Sequence, residues 1–247
     1  MTDHPVRVTL DGPQLTATIG RPHRANRLDR STLQGLVAAV DRAGSDDTVR
    51  ALVLTGEGER DFCGGGQIAG LADDDVEEQQ AFGRDLATLY ERLAGSSVPV
   101  VAAVNGRCAA AGMGLLHACD LAIAVEHATF GYPEIEAGLF PMLAMAATID
   151  SLPRKVAFEL FYTGRSLDAE AALDLHLVNE VVPADQLHDA VARRVDDLSS
   201  RRADAIRIGR RAYHAMTSMA PSQSLRHAQE ELVELLASGV PRDSDWA

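Results

Sequence analysis

The stretch from Pro99 to Glu134 constrains the fold of this chain more than any other. Val100 to Val104 is a short apolar run with the β-branched content of a strand buried on both faces. The run breaks at Asn105-Gly106, passes the small residues Ala109, Ala110, Ala111 and Gly112, and enters an apolar segment, Met113 to Ala118, that reads as a helix. Small residues at a strand-to-helix turn let a ligand approach the backbone, and the unpaired N–H groups of the helix start then point at it. A second apolar run, Leu121 to Val125, and the turn Gly131-Tyr132-Pro133 lead on to Glu134.

An earlier segment repeats this design. Ala51 to Thr55 reads as a strand, a polar loop follows, and Phe62-Cys63-Gly64-Gly65-Gly66 leads into Gln67 to Leu71, predicted as a short helix. Two such turns can hold one oxygen between their N–H groups. Donors aimed at an oxygen that gains negative charge in the transition state form an oxyanion hole, and losing one costs about 10²–10³ in rate.

These segments resemble the crotonase superfamily, the enoyl-CoA hydratase/isomerase family. Phe62 to Gly66 is similar to its F-S-A-G-A-D segment, and Pro99 to Asp120 to its P-V-I-A-A-V-N-G-x-A-x-G-G-G-x-x-L-A-x-x-C-D segment. Arg21-Pro22 with Ala25-Asn26 and Leu28 matches its opening, and the likeness continues through Phe130 to Glu134, Thr163-Gly164-Arg165, Asp168 to Ala172 and Leu177 to Pro183. The resemblance implies an α/β fold, a spiral of ββα units with a helical C-terminal region. We divide the chain into a β/α core over residues 1–195 and a helical region over 196–247, parts of one domain.

The resemblance also implies a substrate and roles. The substrate is an acyl-CoA thioester, and coenzyme A enters as part of that substrate rather than as a cofactor. The N–H groups of Gly66 and Ala111 form the hole, and Glu134 is the base beside the substrate's α-carbon. Substrate contacts fall on Arg24, Ala25, Arg27, Gly64, Gln67, Ile68, Gly112, Pro133 and Leu139, with Arg24 and Arg27 available to phosphates. The apolar neighbours of Glu134, among them Ile135, Leu139 and Phe140, are expected to raise its pKa.

The pattern departs from the family at several points. Hydratases place a second glutamate where this chain has Gly114, and the pair activates the water that adds to the double bond. A single carboxylate still shuttles a proton between two carbons, so double-bond isomerisation is favoured, with hydration through an atypical second acid or decarboxylation as alternatives. His117 and the lid residues Asp73, Asp74 and Asp75 are the replacement acids weighed, and His117 reads more readily as a core residue. Gln67 stands in place of the usual aspartate, and Met142-Leu143-Ala144-Met145 in place of a glycine-rich segment. The family's acidic-glycine-phenylalanine segment does not follow Ser238-Gly239, which predicts an altered CoA and interface surface.

Composition narrows the rest. A net charge of −13 argues against a nucleic-acid footprint. No apolar run approaches the roughly 20 residues of a membrane span, and no secretory leader opens the sequence, so cytoplasm is expected. Cys63, Cys108 and Cys119 have no C-x-x-C spacing and read as small buried hydrophobes, with no metal site expected. Val6–Leu10 and Leu15–Ile19 predict a hairpin. Asp29 or Ser31 caps a helix striped by Leu33, Leu36, Val37 and Val40. Leu86, Leu89, Tyr90 and Leu93 stripe another helix after the acidic run Ala72 to Glu78, read as a charged loop. Beyond Glu134 the chain is predicted to be helical almost throughout, with an Asp168 cap and stripes at Leu187, Val191, Val195 and Leu198, then Leu225, Ala228, Leu232 and Leu235. Those last faces suit subunit packing, and the family implies a homotrimer or dimer of trimers.

Two other readings remain. Gly64-x-Gly66-x-x-Ala69 fits a dinucleotide fingerprint, but Gly56 to Asp61 separate it from its strand and carry three acids hostile to a pyrophosphate. The other is a relative that binds acyl-CoA with little or no turnover.

Overall fold

The computed structural model describes residues 5–68, 76–149 and 151–239. The first two strands, β1 (Val6–Asp11) and β2 (Gln14–Ile19), form the expected hairpin around Gly12-Pro13. Helix α1 (Arg30–Ser45) starts where Asp29 accepts a hydrogen bond from the Thr32 amide at 2.8 Å, so Asp29 rather than Ser31 is its cap. It returns the chain to β3 (Ala51–Gly56), parallel to β2. After the short β4 (Asp61–Cys63) come α2 (Val76–Ala94), β5 (Val100–Val104), β6 (Arg107–Ala109), α3 (Ala111–His117), β7 (Leu121–Val125) and β8 (Thr129–Gly131).

The remainder is less uniformly helical than the sequence suggests. Helices α4 (Met142–Thr148), α5 (Arg154–Thr163), α6 (Ala169–Asp174), α7 (Leu187–Ser199), α8 (Ala203–Met216) and α9 (Pro221–Ala237) are joined by two three-residue strands, β9 (Ser166–Asp168) and β10 (Glu180–Val182). Runs this short carry too little periodicity to be seen without a partner: β9 is fixed by antiparallel pairing to β8 and β10 by parallel pairing to β7. Asp168 caps α6 as expected, accepting from the Ala171 amide at 2.8 Å.

The strands make two sheets. The larger runs β1-β2-β3-β5-β7-β10 and the smaller β4-β6-β8-β9. Side chains alternate across the large sheet. Leu52, Leu54, Val100 and Ala102 face the core that α1, α2 and α3 share, while Val53, Val101 and Ile123 face Ala190, Val191 and Val195 of α7. Burial on both faces explains why these strands read as unbroken apolar runs.

Arg210 of α8 ties the C-terminal helices to this core. Its guanidinium donates to both Asp120 carboxylate oxygens at 2.8 and 3.0 Å, to the Leu93 and Ala94 carbonyls at 2.6 and 2.8 Å, and to the Ser96 carbonyl. Asp120 also accepts from the Val100 amide at 2.7 Å, so it ties α8 to the start of β5. Helix α9 buries none of its side chains in the described chain; Leu225 is 74% exposed and Val233 61%. Among the described residues no helix is long and apolar enough to cross a membrane.

Candidate active site

Three parallel strands of the small sheet assemble the site. β4 pairs β6 with Cys63 opposite Cys108, and β6 pairs β8 with Ala109 opposite Gly131. Their carboxyl ends therefore lie side by side. From them leave Gly64-Gly65-Gly66, Ala110-Ala111 and Tyr132-Pro133-Glu134, so segments about 20 to 70 residues apart in sequence converge on one edge. Ligand sites of α/β sheets form beyond such strand ends.

At the first turn Gly65 has φ +103°, a conformation that costs glycine nothing. A methyl group on it would come within 2.7 Å of the Ala110 Cβ, so the two turns touch. Leu28 bridges to Gly66 through its amide to the Gly65 carbonyl (2.9 Å) and its carbonyl to the Gln67 amide (2.7 Å). That pattern uses the Gly65 carbonyl and the Gln67 N–H and leaves the Gly66 N–H uncommitted among the described residues. Gln67 and Ile68 are not helical, which corrects the expected helix over Gln67–Leu71; Leu28 pairs with this backbone as a strand would, and residues 69–71 lie outside the described residues. The dinucleotide fingerprint loses the helix start it needs at this point.

At the second turn Ala110 holds φ 54° and ψ −121°, an unusual conformation for a residue with a side chain. Its amide donates to the Gly131 carbonyl at 3.0 Å and its carbonyl accepts from Met113 at 2.9 Å. This fixes the 110–111 peptide at the start of α3, where the Ala111 N–H has no intrahelical acceptor. Gly112 is buried with its Cα against the Cys63 carbonyl, letting α3 close on β4.

Glu134 sits in a 3-10 turn, Pro133–Ala137. Burial raises its pKa, and its Oε2 is buried without a hydrogen-bond partner among the described residues. Its loop is held from behind. Tyr132 is fully buried, packs edge-on against Phe161 at 4.8 Å, and hydrogen-bonds Thr148 at 2.7 Å and His117 at 3.1 Å. His117 is thus committed to Tyr132, and burial pushes its pKa down to about 4, so it is a neutral core residue. Leu139, whose amide donates to the Glu134 carbonyl at 2.9 Å, is half exposed, and Glu136 is exposed. Cys63 is sealed, its thiol pushed up to about 12 by burial.

Position 114 is occupied by a neighbour. A methyl group on Gly114 would lie 2.3 Å from the Tyr90 Oη and 2.4 Å from its Cζ, and that hydroxyl donates to the Ala111 carbonyl at 2.7 Å. Sequence reading placed Tyr90 on an apolar stripe and did not find this role; no local signal marks it.

Of the residues expected to hold the substrate, those of the 24–27 and 64–67 segments lie side by side. Gly64 donates to the Ala25 carbonyl at 2.8 Å, and Gln67 accepts from Arg21 at 2.9 Å and Arg24 at 3.3 Å. The side chain that departs from the family pattern thus serves as a neutral acceptor for two guanidinium groups. Buried Arg21 is also paired with Asp29 at 2.8 Å. Arg24 and Arg27 are exposed and have no carboxylate partner among the described residues, and Ile68 is exposed next to Gln67. Asp73, Asp74 and Asp75 lie outside the described residues, as does the tail beyond Gly239.

Known proteins resemble this chain in sequence and fold. The chain is 30% identical to the short-chain-enoyl-CoA hydratase of Clostridium acetobutylicum over 203 residues, 82% of this chain and 78% of that protein. It is 32% identical to the crotonyl-CoA hydratase of Syntrophomonas wolfei over 198 residues, 78% and 75% of the two chains. Among solved structures, an enoyl-CoA hydratase from Mycobacterium smegmatis superposes with a TM-score of 0.91 at 27% identity, covering 95% of this chain and 92% of that one. The expected crotonase-like α/β fold is therefore the observed one. The model of the family described as enoyl-CoA hydratase/isomerase matches residues 15–239, and the chain belongs to that family.

Proposed function

We propose that this protein moves a proton between two carbons of an acyl-CoA thioester, with enoyl-CoA double-bond isomerisation as its reaction. The observation that carries the reading is the unpartnered, buried Oε2 of Glu134 on the edge where the Gly66 and Ala111 amides emerge. In this reading the thioester oxygen sits between the two amides. Glu134 takes the proton from the α-carbon of a 3-enoyl thioester; the C–H electron pair spreads into a dienolate whose oxygen charge the amides stabilise. The same carboxyl then returns the proton to the γ-carbon, the double bond moves into conjugation, and Glu134 is again a carboxylate. The raised pKa suits a group that must both take and give the proton. Arg24 and Arg27 stand where they can meet the phosphates of the coenzyme A portion.

Isomerisation is preferred to hydration because position 114 carries no second carboxylate and Tyr90 fills the space beside it. The names of the hydratase relatives favour hydration as the second reading. Mass spectrometry of 2-enoyl- and 3-enoyl-CoA in heavy water, with wild type and Glu134→Gln, separates the two. Interconversion of the two isomers, lost in the variant, supports the proposal, with the deuterium content of the product showing whether the transferred proton meets solvent; water addition to the 2-enoyl thioester as the main reaction overturns it. Tight acyl-CoA binding without exchange of an α-proton would mark a relative that only binds. The exposed apolar residues of α9 suit a trimer, and light scattering at three or six times the chain mass tests that.

A further inference from the structure

We infer that Tyr90 determines the reaction's specificity by closing the α3 side of the site to water, so that Glu134 exchanges its proton with substrate carbon rather than with solvent. The inference rests on the proton-shuttle reading of Glu134. Tyr90 comes from α2, outside both turns, and its ring passes over Gly114, the one place in α3 where a side chain as small as methyl would collide with it. The hydroxyl is spent on the Ala111 carbonyl at 2.7 Å, which fixes the ring against the turn whose N–H serves the hole. The same helix sends Phe82 over the other turn, where a methyl on Gly66 would meet its ring at 2.8 Å. One helix thus lays an aromatic ring on each half of the site, and both rings are buried.

Glu134 is close enough to Tyr90 for its charge to add to the burial that raises the phenol's pKa, which keeps Tyr90 neutral. The other hydroxyl near Glu134, on Tyr132, is bound to Thr148 and His117. Neither hydroxyl offers Glu134 a hydrogen bond, consistent with its unpartnered Oε2. The neutral, apolar surroundings leave the carboxylate reactive toward a weakly acidic C–H, and a water held at Gly114 would compete for the same proton.

Two measurements on Tyr90→Phe, Tyr90→Leu and Tyr90→Ala test this. The first is deuterium incorporated per isomerisation event in heavy water, with any hydrated product counted. Tyr90→Phe keeps the ring and should retain the wild-type ratio within about twofold, while Tyr90→Leu and Tyr90→Ala should raise it at least threefold, as expected when water reaches a previously excluded site. The second is the Glu134 titration, read as the infrared difference between each protein and the same protein carrying Glu134→Gln. It should fall toward the ordinary carboxyl value in Tyr90→Ala and Tyr90→Leu and stay in Tyr90→Phe.

If folded Tyr90→Leu or Tyr90→Ala leaves both the deuterium ratio and the titration unchanged, the role assigned to Tyr90 is overturned. If instead Glu134→Gln retains full isomerisation, the proton-shuttle reading fails, and the titration, which needs no turnover, still decides whether Tyr90 shields the carboxylate. Tyr90→Leu covers the case in which Tyr90→Ala does not fold.

Discussion

The two turns that present the Gly66 and Ala111 amides are built by different means. The first uses glycine: Gly65 takes φ +103° without strain, and its carbonyl and the Gln67 N–H are paired to Leu28. The second uses alanine where glycine would be easier. Ala110 is kept at φ 54° by its bond to Gly131, while Tyr90 grips the next carbonyl from α2. An unusual backbone conformation of a residue with a Cβ costs about 1–3 kcal/mol and persists only where its surroundings over-determine it. The first turn is therefore made locally, and the second is imposed by the rest of the fold.

The largest effect should come from breaking the first turn. Gly65→Val combines a positive φ with an overlap on Ala110, and should lower kcat/KM by about 10²–10³ as the Gly66 amide moves out of line. Steady-state kinetics on 3-enoyl-CoA measures this, with thermal melting to confirm the fold. Next, Gly114→Ala should destabilise the second turn by about 1–3 kcal/mol through overlap with Tyr90. Adding Tyr90→Leu should recover a large part of that loss, whereas Tyr90→Phe should not, because the Cζ that remains is only 2.4 Å away. A denaturant double-mutant cycle reads the coupling, expected at about 1 kcal/mol or more.

Smaller still, Ala110→Gly should stabilise the protein by about 1 kcal/mol, since glycine removes the strain but adds chain entropy to the unfolded state. A destabilising result would show that the alanine methyl packs more tightly than its backbone suffers. The last probe reads Glu134, the proposed base. Because the folded pKa of Glu134 is raised, kcat/KM should fall on the acid side at a pH above the ordinary glutamate value. For stability the sign is opposite to that of a salt-bridged acid. The native state holds its proton more tightly than the unfolded chain, so stability declines as pH rises through the folded pKa. Glu134→Gln should therefore melt higher than wild type at neutral pH and show less difference in acid.

Legibility followed the range of the causal contact. Strands buried on both faces, the Asp29 and Asp168 caps, and the small-residue turns were readable because each is set by neighbours a few residues away. β9 and β10 were not, since three residues acquire strand character only by pairing with β8 and β7. At the candidate site, Glu134 and the two turns were legible as segments, with their roles drawn from family resemblance. Tyr90 was not, because it acts on Ala111 across 21 residues and on the face of α3 that its own stripe does not reveal.

The sequence by itself determined which segments become strands, which turns expose amides and which carboxylate stands at a strand end, because steric freedom and hydrophobic period are properties of neighbouring residues. Only the tertiary structure decided that Ala110 holds a strained conformation, that Gln67 accepts from Arg21 and Arg24, and that a tyrosine occupies the space beside Gly114. Those outcomes depend on close packing between elements distant in the chain, where a displacement of an ångström separates a contact from a clash.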